Sequence, residues 1–206
     1  MSSTRQALED YLAANPDDLA AHSAYADWLT ENGDPRGEYI RLLLAIEDPH
    51  LSQAQRHAFA AAAAKLGRKH EVDWIGSFKK FVNVEWYPIR RSSAQPVNGI
   101  ASIYLQRGWI HRLEICTPVE EVWESVLTCP IARQVQVLEI SICGDLFVTN
   151  SADVLKYTTK FPALQQLIVS WEQFEDDSVD YLLESGLVYQ LRGLDLSNCA
   201  ITDDGA

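Results

Sequence analysis

The sequence predicts an α/β chain. A helical module of about four helices comes first, then a short solenoid with parallel strands on its concave face and helices on its convex face. Three observations carry the prediction. Helix-period apolar residues alternate with capping signals in the first third, a template of spaced aliphatics recurs along the last hundred residues, and charge divides the chain near the same places. Residues 1–74 carry 7 basic and 12 acidic side chains, 75–108 carry 5 basic against Glu85 alone, and 109–206 carry 5 basic and 16 acidic. The expected units are a helical module over 1–74, an irregular β segment over 75–109 that links and caps, and a repeat array of about four units over 110–206, the last incomplete.

Composition narrows the function classes. The 206 residues are 47% hydrophobic and 22% charged, enough apolar mass to build a core and too much for a disordered chain. A net charge of −12 repels phosphate backbones and anionic membranes alike. No apolar run approaches the ~18 residues of a membrane helix. Met-Ser-Ser-Thr-Arg-Gln-Ala-Leu-Glu-Asp has no apolar core of a secretory signal, so a cytoplasmic location with reduced thiols is expected.

The helical elements follow from their punctuation. Leu8, Tyr11 and Leu12 form one apolar face behind Ser2-Ser3-Thr4. Asn15-Pro16-Asp17-Asp18 reads as the next start, with Asn15 as N-cap, and the helix runs from Pro16 to about Glu31, stopping at Asn32-Gly33. Asp34-Pro35 opens a third helix through Ile40, Leu43, Leu44 and Glu47, ending before Pro49. Ser52-x-x-Gln55 is a capping box for a fourth, with Phe59, Ala62, Ala63 and Leu66 on one face. Beyond Trp74 the period shortens, and Phe81–Tyr87 and Ile100–Leu105 read as strands broken by Pro88, Pro96 and Asn98-Gly99.

The recurring template is Ile110-x-x-Leu113-x-Ile115, Val135-x-x-Leu138-x-Ile140, Leu164-x-x-Leu167-x-Val169 and Leu191-x-x-Leu194-x-Leu196. Helix-like stretches follow, the clearest being the stripe Val119, Val122, Trp123, Val126 and Leu127; Val154-Leu155 and Val179, Leu182, Leu183 take the same place later. A strand of this kind followed by a helix at such spacing is the leucine-rich-repeat rule, in which each unit buries its aliphatics only against its neighbours. The polar ladder position falls on Pro118, Cys143, Glu172 and Cys199. Cys143 and Cys199 are therefore expected as buried ladder thiols, two strands and ~10 Å apart and so beyond disulfide reach; Glu172 departs from the rule. The last unit, from Leu191 to Ala206, resembles a leucine-rich repeat of the cysteine-containing, ribonuclease-inhibitor-like kind.

The run Tyr25-Ala26-Asp27-Trp28-Leu29-Thr30-Glu31-Asn32-Gly33-Asp34-Pro35-Arg36-Gly37-Glu38-Tyr39-Ile40-Arg41, with Asn15-Pro16-Asp17-Asp18 ahead of it, resembles the bacterial repeat-companion domain. The resemblance covers about residues 4–48. Trp74-Ile75-Gly76 and Gln106-Arg107-Gly108-Trp109-Ile110 resemble the linking segments that follow that domain. It implies a helical module capping a repeat array, and no activity.

No arrangement of residues argues for an enzyme, a metal or a cofactor. The cysteines Cys116, Cys129, Cys143 and Cys199 include no Cys-x-x-Cys pair, and none has a nucleophile's histidine partner. His22, His50, His57, His70 and His111 include no pair at ligand spacing. Asp27, Asp34, Arg36 and Glu38 crowd one turn, where Asp34 caps a helix, Trp28 packs the helical hairpin, and Arg36 is expected to pair with Asp27 or Glu31. The expected role is non-enzymatic protein binding or adaptation. Its alternatives are a regulatory subunit or substrate of a bacterial signalling or defence enzyme, and nucleic-acid contact through the basic aromatic segment 78–91, which the acidic remainder disfavours.

The expected partner surface is the concave strand row. Its residues are Arg112, Glu114 and Cys116, then Val137, Glu139 and Ser141, then Gln166, Ile168 and Ser170, then Gly193, Asp195 and Ser197. Glu114, Glu139 and Asp195 would form an acidic stripe that only Arg112 offsets, which predicts a protein partner presenting Lys or Arg. A second docking place is an open C-terminal edge of Leu191, Leu194, Leu196 and Ile201, with Thr202 capping the start of a further helix.

Overall fold

Capping chemistry sets the first four helices. The structure, a computed structural model, describes residues 3–82, 84, 86, 100–116, 118–141, 151–170, 174–203 and 205. Helix α1 spans Ser3–Ala14, α2 Leu19–Glu31, α3 Arg36–Ile46 and α4 Gln53–Ile75. The second begins later than the Asn15 cap predicts. Asp18 takes the capping role, its carboxylate accepting the Ala21 N–H at 3.0 Å, while Asn15 finishes the preceding helix by donating its own N–H to Tyr11 O. A charged acceptor at Asp18 outcompetes the Asn15 amide for a helix N-terminus. Asp34 accepts the Arg36 N–H at 2.9 Å, and the expected capping box joins Ser52 and Gln55.

Helix α4 buries a face rotated from the predicted one. Ala60, Ala63, Ala64 and Gly67 point inward, whereas Ala62 is exposed and Phe59 only half-buried. Small residues win that face because α3 and Trp86 lie close against it. Gly37 makes the matching approach of α3 to α2, where a side chain would run into the Thr30 hydroxyl and the Ala26 carbonyl.

The described residues of the segment after α4 do not form the strand that its β-branched and aromatic residues suggest. Gly76–Lys80 form a 3₁₀ turn with Phe78 buried, and Phe81, Val82, Val84 and Trp86 lie outside any strand. The rest of 81–99, Pro88, Pro96, Asn98 and Gly99 included, lies outside the described residues. Trp86 is held by the helices instead, with its ring 5.7 Å from those of Tyr39 and Trp74 and its indole N–H donating to Glu71 at 3.3 Å.

Five strands follow: β1 Ala101–Gln106, β2 Trp109–Ile115, β3 Val137–Ser141, β4 Gln166–Ser170 and β5 Gly193–Asp195. They form one sheet in sequence order, β1 antiparallel to β2 and the rest parallel. Each parallel connection contains a helix, as such connections need: α5 Glu120–Leu127, α6 Ser151–Thr158 and α7 Asp176–Glu184. Leu113, Leu138, Leu167 and Leu194 stand in register across β2 to β5, so the template residues meet one another. On the helices the buried stripe is narrower than predicted. Val122, Trp123 and Val126 are buried on α5, but Val119 and Leu127 are exposed, and on α7 Leu182 is buried while Leu183 is exposed. One continuous core runs from Leu12 and Tyr25 in the helices through Trp109 and Leu138 to Leu187.

Candidate functional site

Strand periodicity separates two sets of side chains along the sheet. Leu113, Ile115, Leu138, Ile140, Leu167 and Val169 are buried, and the residues between them face outward and are half-buried or exposed. The outward row aligns by register: Arg112 beside Val137, then Gln166 and Gly193; Glu114 beside Glu139, then Ile168 and Asp195; and Ser141 beside Ser170. Every one of these residues was expected on this surface, and they share it.

Their electrostatics differ from an uncompensated acidic stripe. The Arg112 guanidinium donates to Glu114 at 2.9 Å and also to Glu139, so one cation holds two carboxylates. Ile168 interrupts the carboxylates in the third strand. Asp195 is turned into its own loop, where it accepts the Ser197 N–H at 2.9 Å and is held below the usual carboxylate range by its bonds from Ser197. Tyr104 on β1 adds an aromatic neighbour that sequence reasoning missed. It stands opposite Arg112, whose guanidinium lies 5.7 Å from the ring, and burial followed by the Glu114 carboxylate pushes its hydroxyl pKa up. Ile100–Leu105 reads as a strand, and its alternation was the available signal, but without the aliphatic template nothing in the sequence aligns Tyr104 with the row.

The Ser141 hydroxyl donates to Cys116 Sγ at 3.5 Å on the outward row. Cys129 is buried, donates to Trp74 O at 3.5 Å and is pushed up to about 11, so it stays protonated. Cys199 donates to Val169 O at 3.4 Å; it is half-buried and bonds strand rather than loop backbone. Cys143 lies outside the described residues. Among the described residues no group of three or more His, Cys, Asp or Glu is placed to hold a metal ion.

At the C-terminal edge Leu194 is 44% exposed, while Leu191, Leu196 and Ile201 are half-buried against the core. Thr202, expected to cap the start of a further helix, donates both its N–H and its hydroxyl to Asp176 at the start of α7, at 2.9 and 2.6 Å. A carboxylate at an existing helix N-terminus is the stronger partner. In the basic segment, Lys79 pairs with Glu71 at 2.7 Å and Lys80 with Glu121 at 3.9 Å, which leaves less free charge for a phosphate backbone than the sequence suggests; Arg90 and Arg91 lie outside the described residues. Among the described residues no helix is long and apolar enough to cross a membrane.

The junction between helices and sheet absorbs the residues of the repeat-companion-like run. The Trp109 ring stacks on Tyr25 with centroids 5.5 Å apart, and the Arg36 guanidinium lies 4.5 Å from the Trp109 ring. Arg36 is buried and pairs with neither Asp27 nor Glu31 as expected; those carboxylates are outward, and Asp27 and Glu38 face Arg41 instead. Its nitrogens have no hydrogen-bond partner, so ring faces are what compensate the buried cation. Tyr25 donates to Glu9 at 2.7 Å, and Glu9 also meets Arg5 and Arg133. The β1–β2 turn, Arg107-Gly108, has φ of 48° and 81°. Gly108 is required there, since a side chain would also sit 2.7 Å from Ile40 Cγ1. Arg107 then clasps Glu47 through three bonds of 2.9–3.2 Å and donates to Pro16 O at 3.0 Å.

Comparison with known protein families, curated proteins and solved structures finds no match to this chain.

Proposed function

We propose that this protein is a non-enzymatic protein-binding module: a leucine-rich-repeat surface carried by a helical module of the repeat-companion kind. It presents the outward row of β2 to β5 to a protein partner bearing Lys or Arg. The observation that carries this reading is the register, which brings Arg112, Glu114, Glu139, Ile168 and Asp195 from four separate strands onto one surface. Two carboxylates around one guanidinium, with Asp195 beyond, leave that row net acidic. The half-buried Ile168 at its centre supplies an apolar contact.

A random peptide library displayed against the full chain tests the proposal. Enriched peptides should carry Lys or Arg and should lose binding roughly tenfold or more to an E139K/D195K variant that retains its circular dichroism. Enrichment without basic residues, or equal binding by the variant, contradicts it.

A further inference from the structure

A small cleft lies where the α1–α2 turn and α2 meet the start of β2, with Pro16, His22, Arg107, Trp109, His111 and Gln134 on its walls. Four of those side chains carry a buried nitrogen or oxygen without a hydrogen-bond partner: His22 Nδ1, Trp109 Nε1, His111 Nδ1 and Gln134 Oε1. His22, Trp109 and Gln134 are each at least 98% buried, with exposures of 2%, 1% and 2%. Leaving even one such group unpaired costs about 1–3 kcal/mol, so four around one cleft point to a ligand.

The roles of these atoms can be worked out. His22 Nε2 lies 2.9 Å from Pro16 O, which can only accept, so Nε2 carries the proton. Burial holds this imidazole below its usual range and therefore neutral, which makes Nδ1 a bare acceptor. Gln134 Nε2 donates to Glu9 O at 3.2 Å, which fixes the amide and leaves Oε1 as a second acceptor. Trp109 Nε1 can only donate, and His111 Nδ1 can take either role. The unpaired atoms thus offer two acceptors, one donor and one adaptable group, with Arg107 and the side chains of Gln106 and Gln136 on the same walls. An anion is rejected by the two acceptors; a cation is rejected by the indole N–H and by Arg107 on the wall. The room is about 10 Å³, close to the roughly 10–15 Å³ that one water needs.

We propose that this cleft is a binding site for one neutral ligand of water's size that donates to His22 and Gln134 and accepts from Trp109: a resident water shared by the helical module and the sheet. Its partners come from α2, from β2 and from the 3₁₀ turn Ala132–Gln134, so the ligand joins three elements that no single hydrogen bond could join.

Water-selective nuclear Overhauser spectroscopy on the ¹⁵N-labelled full chain tests the site. The Trp109 indole proton, assigned through its contacts to the Tyr25 ring, should show a water cross-peak of the sign given by a long-lived, slowly tumbling molecule. Gln134→Leu, which deletes one of the two acceptors, should weaken that cross-peak while the circular dichroism is retained. Loss of the fold in that variant leaves the wild-type cross-peak and a high-resolution crystal structure to decide. Density for one water within hydrogen-bond distance of at least three of the four atoms supports the proposal. An absent or fast-exchange cross-peak, a cross-peak unchanged in the variant, an ion or larger molecule in the density, or the four atoms paired with one another would overturn it.

Discussion

Trp109 and Leu194 belong to the first and last strands of the same parallel run, and their surroundings could hardly differ more. Trp109 is 1% exposed, stacked on Tyr25, faced by Arg36 and anchored beside the Arg107–Glu47 clasp. Leu194 is 44% exposed, on a strand of three residues, with Tyr189 nearby in sequence at 86% exposure. The template is the same at both ends, so the aliphatic pattern does not set local stability. What differs is what lies on the far side of each strand: at β2 the antiparallel β1, whose turn packs on the helical module, and at β5 no further strand among the described residues. Among the described residues the sheet is covered beyond β2 and not beyond β5, and its outward row is expected to open more easily from β2 toward β5.

Truncating the two ends breaks the comparison open. Trp109→Ala should cost about 3–5 kcal/mol in urea unfolding, because it leaves a cavity and strips the ring from Arg36. Leu194→Ala should cost under about 1 kcal/mol by the same measurement, since much of that side chain is already in water. Equal costs would mean that the sheet is not held from β2. Gly108→Ala falls between, at about 1–2 kcal/mol, because it forces an L side chain to a positive φ and against Ile40.

Acid should loosen the junction before the edge. Burial holds His22 low, with the Pro16 carbonyl opposing, Arg107 adding to the shift, and Glu47 and Asp18 opposing. Burial likewise holds His111 low, against Asp17 and with Arg107 and Arg112. The unfolded chain therefore takes up protons, as pH falls below the usual histidine value of about 6.5, that the native chain does not. Stability is full above that value and declines as pH falls toward the lowered native values. Urea midpoints between about pH 7.5 and 5.5 should fall, and His22→Gln should flatten the decline. A flat wild-type profile would show that neither ring is held neutral.

Arg36→Met carries the smallest expected change. The guanidinium has no hydrogen-bond partner, so an apolar chain of similar length should leave stability within about 1 kcal/mol of wild type or raise it. A loss above about 3 kcal/mol would reveal a partner for the cation.

Much of this arrangement can be read from the chain alone, and the reason is physical. Aliphatics at Leu113, Leu138, Leu167 and Leu194 repeat because the fold repeats, and Ser52 with Gln55 marks a helix start because capping is local. The junction is not local. Arg36 follows a helix-start signal and reads as the partner of Asp27 or Glu31, yet it is buried by Tyr25 and by Trp109, 73 positions away. Gln134 and His22 show no motif, and their significance exists only where α2, β2 and the 132–134 turn converge. Asn15 reads as the cap, and only the bond from the Ala21 N–H shows that Asp18 takes its place. Phe81–Tyr87 has strand composition, but its described residues lie outside any strand, and Trp86 packs against Gly67 of α4 instead.

Native-state hydrogen exchange at equivalent ladder positions tests the one-ended support most directly. The Gln136 N–H bonds His111 O at 2.8 Å, the Gln165 N–H bonds Gln136 O at 2.9 Å, and the Arg192 N–H bonds Gln165 O at 2.6 Å, one for each successive parallel strand pair. The opening free energy should fall in the order Gln136, Gln165, Arg192, with Arg192 exchanging through a local opening well below the global value. Exchange at Arg192 as slow as at Gln136 would contradict a sheet held from its helical end.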